Sequence, residues 1–263
     1  MILTADYHTH TKYSHGKGTV LENAIRAKSI GLKEIGIADH GFSHPAFGLT
    51  KGVLDRLNND CNMATKITGV KCLCGIESNF TSIDGKVDLK PCLYDKFNLF
   101  LAGFHKFVKV DLKTLFTLSI PNVVLSKFKA KKVCSSLIKT NTKTFVNAIK
   151  NNPIDIVTHL NYGAYANVEE VAKVAADYGT YLEISAKKVH FSDEEINAIL
   201  KTDVRFVIGS DAHSIDRVGE ISLAVKMLER VGFPIDRIDN VEGRLPAFRF
   251  HAFKEKSLWT LGV

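Results

Sequence analysis

The 263-residue chain has no apolar run of about 18 residues, so no membrane-spanning helix is expected. Its N-terminus, Met-Ile-Leu-Thr-Ala-Asp-Tyr-His, lacks the basic and long apolar regions of a secretory signal. The five cysteines, Cys61, Cys72, Cys74, Cys92 and Cys134, are odd in number, and no two have CxxC spacing. That pattern argues against a disulfide framework or a zinc knuckle and for reduced thiols in a cytoplasmic protein. Disorder is excluded by a composition that is 45% hydrophobic and 24% charged. There is no internal repeat, low-complexity linker or sharp boundary, and residues 1–263 read as a single domain.

Acidic residues are scarce in one place. From Lys106 to Lys143 there are nine Lys and one Asp, with neither Arg nor Glu, a net charge of +8. The whole chain carries +7, so the remainder is close to neutral at −1. A general nucleic-acid or membrane affinity spread over the body is thereby excluded. The charge question belongs to one insertion, at about 106–140.

What is present is an alternation of short apolar runs with longer helical patterns. Strands are expected at 2–5, 34–38, 71–76, 96–103, 154–158, 180–184 and 205–208. Helices are expected at 19–30, 54–68, 142–150, 168–178, 192–201 and 215–231, the fifth opened by a Ser192/Glu195 capping box. Alternating strands and helices imply parallel βαβ units. Seven such strands suit an α/β barrel of the TIM type, although the pattern alone also admits an open doubly wound sheet.

Seven of the ten histidines fall at or just past a strand end. They occur as His8-Thr9-His10 with His15 beyond, Ala38-Asp39-His40, Gly103-Phe104-His105, Thr158-His159 and Ser210-Asp211-Ala212-His213; strand three ends Gly75-Ile76-Glu77. In a parallel barrel these ends open on one face. Residues i and i+2 of an extended segment point the same way, so His8 and His10, or Asp211 and His213, can grip one ion together. Imidazole with carboxylate and no thiolate suits Zn, Mn or Fe. Nine such donors suit two or three divalent ions, with Glu77 or Asp211 bridging a pair that shares a hydroxide and stabilises charge on a phosphoryl group. Each motif alone has a bland reading: a packed strand-end histidine, a solvated acid, a helix N-cap at Asp211 or Ser214. Their joint occurrence at six strand ends has no structural explanation. His44, His190 and His251 fit no such pattern and are read as structural.

This motif set, in this order, resembles the PHP (polymerase and histidinol phosphatase) family. The similarity runs from Asp6 to about Arg244, and the Ile-Glu-Ser-Asn and Ala-Gly-Phe-His segments are similar to its stand-alone YcdX-like hydrolases. The resemblance implies a distorted (β/α)7 barrel and three metals. His8, His10, Glu77 and Asp211 would hold the first; Glu77 would bridge to the second, held by His105 and His159; His15, His40 and His213 would hold the third. Glu77, Asp211 and His213 would carry catalysis. Every ligand position is filled, which argues against a catalytically dead member. Two features depart: Thr158-His159-Leu160 stands where Ser-His-Pro is common, and the spacing from His105 to His159 is some twenty residues longer, the surplus lying in the lysine-rich insertion.

The insertion is apolar as well as basic, and Lys127, Lys129, Lys131 and Lys132 form a cluster in it. It reads either as a helical excursion with solvated lysines or as an electropositive lid beside the site. A nucleic-acid track is disfavoured, because Arg, Tyr and Trp are absent from it. Arg217, Lys187 and Lys188 are further candidate phosphate contacts. The reading is a metal-dependent phosphomonoesterase acting on a small phosphorylated substrate, with histidinol phosphate, a nucleotide or a sugar phosphate as candidates. The alternatives are a phosphodiesterase or exonuclease on nucleic acid, a non-catalytic metal-binding protein, and an amidohydrolase-like enzyme.

Overall fold

Runs such as Glu34-Ile-Gly-Ile-Ala carry no polar face, which suits strands covered on both sides rather than a sheet with a wet surface. The computed structural model describes residues 1–128 and 134–260, apart from the side chains of 125–128 and 257–260. It has seven strands in one sheet: β1 (Ala5–Thr9), β2 (Glu34–His40), β3 (Lys71–Asn79), β4 (Leu99–Gly103), β5 (Ile156–Val157), β6 (Tyr181–Ser185) and β7 (Phe206–Gly209). Each pairs in parallel with the next. The seam is drawn together where His10 N donates to Ala212 O at 2.8 Å and Ala212 N donates to His8 O at 3.2 Å. The result is a nearly closed, distorted (β/α)7 barrel.

The helices are α1 (Val20–Ser29), α2 (Leu54–Thr68), α3 (Leu112–Thr114), α4 (Ile120–Phe128), α5 (Ser135–Asn151), α6 (Val168–Tyr178), α7 (Asp193–Leu200), α8 (Ser222–Arg230) and α9 (Arg249–Thr260). None among the described residues is long and apolar enough to cross a membrane. Capping boxes at Thr19/Glu22 and Ser192/Glu195 fix the starts of α1 and α7. The helices pack on the outer face of the strands, through residues such as Ile35, Ile37, Phe100 and Leu182. The barrel interior is filled by Ala5, Tyr7, Leu73, Leu99, Leu101, Ile156, Tyr181 and Val207. Phe248 closes it from below, with ring centroids 4.8 Å from Tyr7 and 5.9 Å from Tyr181.

The structure corrects several boundaries. β1 begins at Ala5, not Ile2, and β2 and β3 run on through His40 and Glu77, because backbone pairing continues to Asp39↔Ile76 and His40↔Glu77. His40 and Glu77 therefore sit on strands, as His8 does, while His10, His15, His105, His159, Asp211 and His213 lie just past strand ends. The helix expected at 142–150 starts seven residues earlier, at Ser135. Its polar first turns are held by Asn141, which exchanges bonds of 2.8 and 3.0 Å with Asn122. The helix expected at 215–231 is broken into a 3-10 turn, Ile215–Arg217, and α8. Gly219 breaks it: its φ is +73°, its N–H donates to Asp6 Oδ2 at 2.9 Å, and a Cβ there would lie 2.3 Å from Ile30 Cδ1. α9 was not foreseen.

The basic insertion leaves β4 and forms α3, a π-helical turn (Leu115–Ser119) and α4. Thr114, Leu118 and Asn122 are buried. Leu112, Phe116, Ile120 and Val124 are 75, 66, 41 and 45% exposed, so an apolar stripe at i+4 spacing faces outwards rather than onto the barrel. Lys129, Lys131 and Lys132, and the side chain of Lys127, lie outside the described residues.

Candidate metal centre

The rim at the C-terminal strand ends is built from β1 upward. Asp6 sets the chain beyond it: Ser210 N (3.2 Å), Ser210 Oγ (2.5 Å), Gly219 N (2.9 Å) and His8 N (3.3 Å) all donate to its carboxylate. β1 advances three residues, from Asp6 to Thr9, while β2 advances two, from Ile35 to Ile37. This one-residue bulge lies at Tyr7 and His8 and re-aims the strand beside the site. Asp39 accepts from Thr11 N at 2.7 Å, Thr11 Oγ1 at 2.6 Å and Ser14 Oγ at 2.5 Å, fixing the loop that delivers His15.

Glu77, 1% exposed, is the hub. Its Oε1 lies 2.8 Å from His159 Nε2, 3.1 Å from His105 Nε2 and 3.2 Å from His8 Nε2. Its Oε2 lies 3.0 Å from His40 Nδ1 and 3.6 Å from His10 Nε2. Asp211 Oδ1 lies 3.3 Å from both His10 Nε2 and His213 Nδ1 and 3.8 Å from His8 Nε2. Three sets of donor atoms each fall within 4.8 Å of one another: His8, His10 and Asp211; His40, Glu77 and His105; His10, His40 and His213. His159 adjoins the second set through Glu77. His15 is at the edge, its ring 4.9 Å from that of His213 and stacked on Phe47 at 4.1 Å. The backbone is forced at two donors, His159 (φ +33°) and Asp211 (φ +48°), as is common where geometry serves a site.

Burial and the facing carboxylates pull the imidazoles in opposite directions here. Desolvation, reinforced by neighbouring His40, pushes the His10 pKa well below its usual value. Burial also depresses His105, and takes His213 to about 4. Burial alone would raise Glu77, but the facing His105 and His8 hold its pKa well below the carboxylate range. His8 and His159 are raised instead, because the facing Glu183 and Glu77 outweigh burial, so a divalent ion would displace protons from these two while finding His10, His105 and His213 already neutral. Six buried imidazole nitrogens (His8 Nε2, His10 Nδ1 and Nε2, His40 Nδ1, His105 Nδ1 and Nε2) have no hydrogen-bond partner. Four of them lie 3.0–3.3 Å from a carboxylate oxygen of Glu77 or Asp211 without hydrogen-bond geometry, an arrangement that an ion between nitrogen and oxygen would satisfy. The residues present therefore fit divalent transition-metal ions.

Glu183, on β6, escaped the sequence reading. It is 1% exposed, lies 2.6 Å from His8 Nδ1, and accepts from His159 N at 2.8 Å. A carboxylate only accepts, so Nδ1 of His8 carries a proton, which leaves Nε2 as the nitrogen that would ligate an ion beside Glu77. Gly209 leaves room for this, since a Cβ there would lie 2.1 Å from Glu183 Oε1. The available signal was an acid inside the apolar run Tyr-Leu-Glu-Ile.

A cavity of about 330 Å³ opens above the donors, with Phe47, Lys106, Phe107, Tyr162 and Lys187 at its mouth. Lys187 Nζ is 2.9 Å from Asp211 Oδ2. Arg217 does not line this cavity; it is exposed on the 3-10 turn after Ser214. His44, read as structural, also lines it, stacked 5.4 Å from His40. His190 is 6.2 Å from His159, and His251 lies away from the site, 3.6 Å from Glu255.

Comparison with known proteins adds three findings. The model of the PHP domain matches residues 6–187. A probable phosphatase of Caldanaerobacter subterraneus subsp. tengcongensis is 30% identical over 254 residues, covering 90% of this chain and 87% of its own; one of Thermoanaerobacter sp. (strain X514) is 30% identical over 255 residues, covering 92% of each. The histidinol phosphate phosphatase of Lactococcus lactis, solved with zinc, L-histidinol and phosphate, superposes with a TM-score of 0.61 at 15% identity, over 89% of this chain and 95% of its own.

Proposed function

The chain belongs to the PHP domain family, and from that premise we propose that it is a metal-dependent phosphomonoesterase acting on a small phosphorylated substrate. The observation that carries the reading is the convergence of five histidines on the buried Glu77 carboxylate, with Asp211 and His213 alongside. His8, His10 and Asp211 would hold one ion, with Glu77 bridging to a second that His105 and His159 complete. His40 and His213, with His15 at the edge, would hold a third. Zn, Mn or Fe suits the donors. Bound there, such ions supply Lewis acidity, a water of lowered pKa and neutralisation of charge on the transferring phosphoryl group.

The protein's own residues do the rest. Glu183 keeps His8 in one tautomer and pins the His159 backbone. Glu77 and Asp211 stay ionised across the neutral range. Lys187, held at the mouth by Asp211, is within reach of a phosphoryl oxygen arriving over the donors. Phe47 covers His15 and narrows solvent access.

The test is phosphate release from a panel of phosphomonoesters by protein loaded with Zn, Mn or Fe, with metal content measured alongside. Turnover that disappears in His8→Ala, with the fold retained by circular dichroism, is the expected result. A metal-replete protein that releases no phosphate from any monoester would overturn the reading.

A further inference from the structure

We infer that the cavity selects phosphomonoesters whose leaving group carries a second negative charge and rejects those whose leaving group carries an amine; this rests on the phosphomonoesterase reading above. The cavity divides into a floor of ligand-type donors and a mouth of different chemistry. Among the described residues that line it, the acids are Glu77 and Asp211, both in the floor. The outer oxygen of Asp211 is already matched by Lys187 Nζ at 2.9 Å. An ammonium on a substrate would find no carboxylate at the mouth.

Cations are placed there by identifiable contacts. Lys106 runs across Gly163, whose absent Cβ would lie 3.2 Å from Lys106 Cε, so its stem lies against bare backbone. Lys188 does not line the cavity but stands beside it, its Nζ 5.0 Å from the centroid of the lining Tyr162 ring. Lys187 and Lys188 are consecutive residues just past β6, and Lys187 N donates to Ser185 Oγ at 3.3 Å. Phe107, 66% exposed at φ +65°, supplies an apolar wall beside Lys106. Lys187 is 49% exposed and Lys188 is exposed, so their pull on a leaving group is partly screened and sensitive to salt. A volume of about 330 Å³ lies near the lower end of small-molecule sites, which fits a compact leaving group rather than a polymer. The Lactococcus lactis enzyme was solved with an amino alcohol, L-histidinol; the mouth of the present cavity has the wrong sign for one.

The experiment uses three ring-matched esters whose para substituents differ chiefly in charge: 4-(carboxymethyl)phenyl, 4-methylphenyl and 4-(aminomethyl)phenyl phosphate. With metal-loaded protein at low salt, kcat/KM should fall in that order by about tenfold or more from first to last, and the spread should shrink at about 0.5 M NaCl. Lys106→Glu combined with Lys188→Glu should narrow or reverse the ratio of the first to the last. Binding supplies a readout independent of turnover. In nuclear magnetic resonance titrations with saturating inorganic phosphate, 4-hydroxyphenylacetate should bind more tightly than 4-hydroxybenzylamine. Turnover of the methyl ester with an equal or better aminomethyl ester would overturn the inference alone. No turnover of any of the three would overturn this inference, and the phosphomonoesterase reading falls with it only where the wider panel of monoesters is also silent.

Discussion

Glu183→Gln removes one charge and almost no volume, and its consequence can be worked out from two contacts. Glu183 receives the Nδ1 proton of His8 at 2.6 Å and the backbone N–H of His159 at 2.8 Å. Both bonds go to a buried carboxylate, where each is worth about 1.5–3 kcal/mol. Glutamine has one oxygen to offer. If that oxygen keeps His159 N, the amide NH2 faces His8 Nδ1. Nδ1 must then accept, and the His8 proton moves to Nε2, the atom aimed at Glu77 and the ion. If the oxygen keeps His8 instead, the His159 N–H meets another donor. Either way one proposed ligand is lost or displaced. Loss of an outer carboxylate on a metal-bound histidine typically costs 10–100-fold in metal affinity, about 1.4–2.7 kcal/mol. The assay is competition for Zn against a chromophoric chelator, alongside kcat at saturating metal. The expected result is a 10–100-fold weaker site with the fold intact, partly rescued by excess metal. A Glu183→Gln protein that binds metal within twofold of the parent would refute the argument that Glu183 sets the His8 tautomer.

Chelation should lower the melting temperature by several degrees in differential scanning fluorimetry, because an ion held between donors that only the fold brings together binds the folded state alone; an unchanged midpoint would count against metal binding at this cluster. Asp155 is fully buried, accepts from Phe100 N and Phe250 N, and is pushed by burial to about 7. Its folded pKa lies above the unfolded one, so the folded state holds the extra proton, and stability should fall as pH rises from about 4 to 7 and then level off. The slope from this group is at most about 1.4 kcal/mol per pH unit, and Asp155→Asn should remove it in denaturant melts at pH 5 and 7. Leu112→Gln and Phe116→Gln should each shift stability by less than about 0.5 kcal/mol, since both side chains are already mostly exposed; a loss of 2 kcal/mol or more would show that they pack.

Much of the architecture could be read from the chain because each strand contains a short apolar run and the helices α1, α2, α6 and α7 carry their own start or stop signals, such as Thr19 with Glu22 and Gly179 after Tyr178. Reading failed where tertiary contacts override local preference. Ser135 to Asn141 look like loop residues until Asn122 pairs with Asn141 across the fold. The helix through Ile215 looks continuous until Gly219 is claimed by Asp6, more than two hundred residues away in sequence. The motif spacing sufficed to nominate the donors, since each is local to a strand end. It did not reveal Glu183, whose importance depends on its distance to His8 rather than on any neighbour in sequence.

That difference separates two layers of the site. The donors around Glu77 are supplied by β1, β2, β3, β4 and the turns after β5 and β7, one or two per element, so no single stretch of chain can misplace them all. β6 contributes no proposed ligand; it contributes the carboxylate that decides which nitrogen of His8 faces the centre, and the paired Lys187 and Lys188 just beyond it. One strand thus couples the inner geometry to the charge of the mouth. The net charge of the whole chain, concentrated in an insertion that begins at Lys106, bears on chemistry at this mouth, where Lys106 lies across Gly163. Farther along the insertion, Leu112, Phe116, Ile120 and Val124 face outwards.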